Sequence, residues 1–158
     1  MRKVRVLLAD DHQAMLDLVT SLLAIDFDII RAVCDGGTAV AAAAQLLPDV
    51  AVLDLGMPVL NGFEVTRRLR ALGQGITVVL LTAHSDPEMV HAALAAGASA
   101  YVLKPRLATD LVPAINMALE GDRFVSPGIV YGPAALTPNR TYSPEDVRTT
   151  HPRPEIFL

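Results

Sequence analysis

The chain of 158 residues fits one domain with a short appendage. Hydrophobic residues make up 52% and charged residues 19%, which excludes disorder of the whole chain, and 4% aromatics with no Trp point to an aliphatic, Ala-rich core. A net charge of −4 gives no overall case for nucleic acid or an anionic membrane surface, and the single Cys34 excludes an internal disulfide and a multi-cysteine zinc site.

Short apolar runs alternate with longer helical patterns, the sequence sign of βαβ units and a parallel sheet. The first strand is read at 4–9; Asp10 and Asp11 interrupt it too soon for a signal-peptide core, and no other run suits a membrane span. A helical pattern at 12–24 leads to a second strand at 28–33, where Cys34 reads as a small buried residue. A helix at 38–47, a strand at 50–53 and a helix at 62–72 follow; Arg67, Arg68 and Arg70 read as a solvated helix face. A strand at 77–81 precedes Ser85-Asp86-Pro87-Glu88, which offers a cap, a first-turn proline and an early acid for a helix at 87–96. Gly97 and Gly121 stand where helix C-terminal glycines belong, on either side of a strand at 100–103 and a helix at 109–120. Pro113 fits that last helix only within its first turn. Six of the eleven prolines lie beyond residue 122, so the chain is divided into a folded unit of 1–122 and a Pro-rich segment of 123–158, read as mostly extended or disordered apart from one short helix starting near Ser143.

In an open parallel sheet, ligands bind beyond the carboxyl ends of the strands. Asp10 and Asp11 follow the first strand, and Asp54, Thr82 and Lys104 end the third, fourth and fifth. Three carboxylates gathered in one crevice repel one another unless a cation is present, and an all-oxygen donor set suits Mg²⁺ or Mn²⁺ rather than zinc. The four histidines are scattered, so metal binding by them is not expected. A metal with an adjacent lysine and hydroxyl is what an incoming phosphoryl group needs, with one carboxylate as nucleophile. Lys104 is one of only two lysines against eleven arginines, and a compact ammonium suits a phosphate better than a broad guanidinium at such a point.

Asp10-Asp11, Asp54-Leu55-Gly56-Met57-Pro58, Asn61-Gly62, Thr82-Ala83, Gly97-Ala98-Ser99-Ala100-Tyr101 and Lys104-Pro105 together resemble the receiver domain of bacterial two-component response regulators. The resemblance runs from about Val4 to Gly121. It implies an α/β, flavodoxin-like (βα)5 fold, a doubly wound parallel five-stranded sheet in the order 2-1-3-4-5. It further implies that Asp54 is the phosphoacceptor, that Asp10, Asp11, Asp54 and the Gly56 carbonyl hold Mg²⁺, that Lys104 binds a phosphoryl oxygen, and that Lys104-Pro105 is a cis peptide. Thr82 and Tyr101 are then the switch pair that remodels the face of the fourth helix, fifth strand and fifth helix. His84 stands where the family tunes access of water to the phosphoryl group.

Residues 111–127 are similar to the receiver-to-linker passage of regulators with a LuxR-type output, and Leu136-Thr137-Pro138 is similar to the opening of that output domain. No recognition-helix pattern follows, so the expected output is contact with a downstream protein or with a second copy, through the fourth-helix face or the first and fifth helices, rather than direct DNA binding. The expected setting is cytoplasmic, with a sensor histidine kinase as phosphoryl donor and no enzymatic activity beyond the chain's own phosphorylation and dephosphorylation. The alternatives are a truncated LuxR-type DNA-binding regulator, an aspartyl-phosphate phosphohydrolase, disfavoured by Gly56 two positions past Asp54, and a flavin-binding module, disfavoured by the acids.

Overall fold

The structure is a computed structural model and describes residues 2–129. Helices and strands alternate as β1 (Arg5–Ala9), α1 (Gln13–Leu23), β2 (Asp28–Val33), α2 (Gly36–Leu46), β3 (Val50–Asp54), α3 (Gly62–Ala71), β4 (Thr77–Thr82), α4 (Pro87–Ala96), β5 (Ala100–Leu103), a 3-10 turn over Lys104–Arg106, α5 (Leu107–Leu119) and β6 (Phe124–Val125). All strand pairs are parallel, in the order β2-β1-β3-β4-β5-β6. This is the expected order with one strand added: Phe124 and Val125 pair with Ala100 and Tyr101 at the edge.

Strand side chains alternate between the two faces of the sheet. Leu7, Ala51, Leu53, Val78 and Leu80 point to the face covered by α2, α3 and α4, where Ala39, Ala42, Ala43, Val65, Leu69 and Leu94 meet them. Val6, Leu8, Val50, Val52, Val79 and Leu81 point to the other face, closed by Leu16, Val19 and Leu23 of α1 and Leu111, Ala114 and Ile115 of α5. Both faces of the central strands are therefore dry, which explains their unbroken aliphatic sequences. The alanines of α2 bring its backbone close to the sheet with little side-chain entropy lost.

The local signals act as read at α3 and at Pro87 and Gly97 of α4, although the Asp86 side chain makes no capping hydrogen bond. Asn61 accepts from the Glu64 amide at 3.0 Å while the Glu64 carboxylate accepts from the Asn61 amide at 3.2 Å, a reciprocal cap that starts α3. Pro87 opens α4 and Gly97, at φ 114°, closes it.

Four expectations are corrected. Pro113 lies in the middle of α5, beyond its first turn. Pro113 and Thr109, whose carbonyl loses its helical donor, are both exposed, so the break in the helix ladder falls on the solvent side. Cys34 is exposed, because it stands past the end of the edge strand β2 where no helix covers it. No cis peptide occurs among the described residues: Lys104-Pro105 is trans, with Pro105 inside the 3-10 turn, where its fixed φ suits the bend. The sheet has six strands rather than five. Within the 123–158 segment, β6 pairs with β5, and Val125, Ser126 and Ile129 are buried. The extended or disordered reading of 130–158, the short helix near Ser143 and Leu136-Thr137-Pro138 lie outside the described residues. No helix among the described residues is long and apolar enough to cross a membrane.

Candidate functional site

β1, β3, β4 and β5 end side by side, so Asp10, Asp54, Thr82 and Lys104 arrive at one edge of the sheet from distant parts of the chain. Asp10, Asp54 and Thr82 are buried, while Asp11 is exposed at the rim. The Lys104 ammonium bridges two acids, with Nζ 2.9 Å from Asp54 Oδ1 and 3.2 Å from Asp10 Oδ2. Burial pushes the Asp54 carboxyl above its ordinary value and the charge of Asp10 adds to this, while Lys104 and the Gly56 amide offset part of it. Burial lowers the Lys104 pKa, but its bonds to Asp54 and Asp10 outweigh that and hold it above the ordinary value.

Asp10, Asp11, Asp54 and His12 each present a ligand atom, and these atoms lie within 4.8 Å of one another. Three carboxylates against one ammonium leave an excess of negative charge in a half-closed pocket, and hard oxygen donors dominate it. That donor set fits a small divalent cation such as Mg²⁺. His12 was not expected here. Its amide donates to Asp10 Oδ1 at 2.9 Å and its Nδ1 lies 3.1 Å from Asp11 Oδ1; the only signal in the sequence is its position directly after the two acids.

Two close approaches hold the loop after Asp54. A Cβ on Gly62 would stand 2.8 Å from Leu55 Cα and 2.9 Å from the Asp54 carbonyl oxygen, so α3 can begin against the end of β3 only with glycine there. The loop itself turns tightly at Val59, which has φ 71° and is flanked by a Leu60 amide to Pro58 carbonyl bond of 2.9 Å.

Thr82 and Tyr101 meet through one residue. The His84 amide donates to Thr82 Oγ1 at 3.0 Å, and Tyr101 Oη donates to the His84 carbonyl at 2.8 Å. Tyr101 is fully buried, and burial pushes its hydroxyl up to about 12, with the nearby Thr82 hydroxyl offsetting part of the rise and the charge of Asp86 adding to it.

A second polar cluster, missed from sequence, sits directly behind the Lys104 turn. Asp110 accepts from Arg106 Nε at 2.8 Å, from Arg106 Nη2 at 3.3 Å and from Ser126 Oγ at 2.8 Å. Ser126 Oγ in turn accepts from the Leu103 amide at 3.0 Å. Arg106 and Asp110 stand at i,i+4, a spacing that marks a helical ion pair; nothing in the sequence marks Ser126, which joins them because β6 lies beside β5.

The family model of the response regulator receiver domain matches residues 6–116. The transcriptional regulatory protein DegU of Brevibacillus brevis is 32% identical over 131 residues, 82% of this chain and 56% of DegU. A NarL regulatory protein of Mycobacterium tuberculosis is 34% identical over 132 residues, 82% of this chain and 61% of its own length. The chain thus spans a little over half the length of these relatives. The crystal structure of a LuxR-family two-component response regulator from Aurantimonas sp. SI85-9A1 superposes with a TM-score of 0.77 at 31% identity, covering 81% of this chain and 93% of that one. The sheet order, the converging acids and these matches agree, and the chain belongs to the response regulator receiver domain family, of the NarL/LuxR type.

Proposed function

We propose that Asp54 accepts a phosphoryl group and that Asp10, Asp11, Asp54 and the Gly56 carbonyl hold the Mg²⁺ (or Mn²⁺) that assists the transfer. The observation that carries this reading is Lys104 Nζ, 2.9 Å from Asp54 Oδ1 within the acid cluster. An oxygen of Asp54 attacks phosphorus on a phosphohistidine of a sensor kinase. The O–P bond forms as the P–N bond breaks, and the imidazole keeps the electron pair and takes up a proton. A divalent cation held there would supply neutralisation of charge on the phosphoryl oxygens. Lys104 exchanges part of its contact with Asp54 for a phosphoryl oxygen, and the Thr82 hydroxyl turns toward another.

Because Thr82 and Tyr101 share His84, movement of the Thr82 hydroxyl changes the hydrogen bonds that hold Tyr101 under the face of α4, β5 and α5. A phosphoryl group adds about −1.5 to −2 charge at one point, enough to bias such a packed two-state element. The output is contact of that face, or of α1 and α5, with a downstream protein or a second copy. The names of the full-length relatives support transcriptional control as the process served.

Incubation with acetyl phosphate and Mg²⁺ tests the reading. One phosphoryl group per chain is expected, lost with a chelator and lost in Asp54→Ala; uptake that survives Asp54→Ala rejects it.

A further inference from the structure

We propose that Ser126, Asp110 and Arg106 form a clamp that positions the turn bearing Lys104 and ties the state of the acid pocket to the chain leaving the sheet after β6. The inference rests on the reading of Asp54 as phosphoacceptor and names how that site is coupled to its surroundings.

The clamp closes around three consecutive residues. Lys104–Arg106 form a single 3-10 turn between β5 and α5. At its start, the Leu103 amide donates to Ser126 Oγ at 3.0 Å. At its end, the Arg106 guanidinium grips Asp110 with two N–H groups. The Ser126 hydroxyl, donating to Asp110 at 2.8 Å, joins the two ends. The backbone of Lys104 is thereby fixed from both sides, and with it the origin of the side chain whose Nζ must lie within about 3 Å of two carboxylates.

Ser126 is suited to this place by chemistry and by position. It is fully buried. Its amide still donates to the Tyr101 carbonyl at 3.0 Å, continuing the β5–β6 ladder. At Leu103 its hydroxyl then accepts the next strand amide, and Pro127 follows at the turn away from the sheet. One small side-chain atom, Ser126 Oγ, accepts from Leu103 and donates to Asp110 at once, as a hydroxyl can; alanine does neither, leaving a buried amide and a buried carboxylate short of partners. Ser126 thus holds β5 at two points, Tyr101 through the backbone and Leu103, the residue before Lys104, through the side chain. Any displacement of β5 or of the Lys104 turn therefore moves the exit segment, and by linkage the exit segment acts on Lys104.

Nuclear magnetic resonance on the ¹⁵N-labelled full chain, with and without beryllofluoride and Mg²⁺, tests the coupling beside phosphoryl uptake from acetyl phosphate. In the wild type, the amides of Lys104, Ser126, Gly128 and Ile129 all shift. In Ser126→Ala, uptake slows by roughly 2- to 30-fold, the range for residues that couple sites without touching the ligand. The shifts at Gly128 and Ile129 collapse, Mg²⁺ affinity holds because its acids are untouched, and Ser126→Thr, which keeps the hydroxyl, restores both. That split separates loss of position at Lys104 from general loosening. If Ser126→Ala does not fold, Asp110→Asn carries the same test, with slowed uptake and weakened Gly128 and Ile129 shifts expected. Unchanged uptake and unchanged exit-segment shifts in the folded variant overturn the clamp while leaving Asp54 as phosphoacceptor; a wild type without any beryllofluoride response overturns that reading and the clamp with it.

Discussion

Tyr101 Oη donates a 2.8 Å hydrogen bond to the carbonyl of His84, the residue whose amide donates to Thr82 Oγ1. The tyrosine is thus held inward by the loop that follows Thr82. Tyr101→Phe keeps the buried ring and removes only this bond. Denaturant unfolding is expected to show a loss of about 0.5–1.5 kcal/mol. Phosphoryl uptake at Asp54 is expected to persist, with a weaker response of α4 amides to beryllofluoride.

Asp54 illustrates a conflict between site and stability. Burial, helped by the charge of Asp10, raises its pKa in the fold. A raised carboxyl favours folding while protonated, so its contribution is lost as pH climbs from the ordinary carboxylate value through the raised one, and at neutral pH the buried charge is a cost. Without divalent cations, Asp54→Asn is therefore expected to be more stable than the wild type at pH 7 by on the order of 1 kcal/mol, with the gap narrowing toward pH 3. Mg²⁺ is expected to stabilise the wild type, by about 2.7 kcal/mol at a hundred times its dissociation constant, and the variant much less. Thermal melts across pH with and without Mg²⁺ measure both.

Asp110 has the opposite sign. Burial pushes its carboxyl up, but bonds from Arg106 and Ser126 outweigh this and hold it below the ordinary value of 3.8. Its ionised form thus stabilises the fold above that value, and the contribution drains away as pH falls through the depressed pKa. Asp110→Asn is expected to flatten the acid limb of a stability-against-pH curve, and Asp110→Ala to cost about 1–3 kcal/mol at pH 7.

Gly62 tests how tightly α3 is seated on β3, the strand that ends in Asp54. A Cβ there meets backbone atoms of Leu55 and Asp54, which cannot swing aside as a flexible side chain would. Gly62→Ala is expected to destabilise by about 1–3 kcal/mol and to slow uptake at Asp54 beyond what the lost stability explains. Denaturation and uptake rates on the same sample separate the two effects.

Aliphatic strands buried on both faces, the apolar periods of the helices between them and local stops such as the Asn61 cap and Gly97 leave strong marks, so β1 to β5 and α1 to α5 are legible in the residues. The strand ends bearing Asp10, Asp54, Thr82 and Lys104 follow from that alternation, because a parallel sheet brings them to one edge. What escapes is set by tertiary neighbours. β6 spans two residues, too short for any period to register. Ser126 and Asp110 read as ordinary polar residues until β6 docks beside β5. Cys34 is apolar enough to suggest burial, yet the edge of the sheet leaves it open. Pro113 sits inside α5 on its exposed side, as does Thr109 one turn before it, a fact of orientation that composition does not carry.

The central claim is that one carboxylate, Asp54, takes the phosphoryl group. Reduction of the acetyl phosphate-treated protein with borohydride converts an aspartyl phosphate to homoserine, which peptide mass spectrometry locates. Homoserine at position 54, appearing only with Mg²⁺, is the predicted result. A reduced residue at Asp10 or Asp11, or none anywhere while phosphate is bound, contradicts the account.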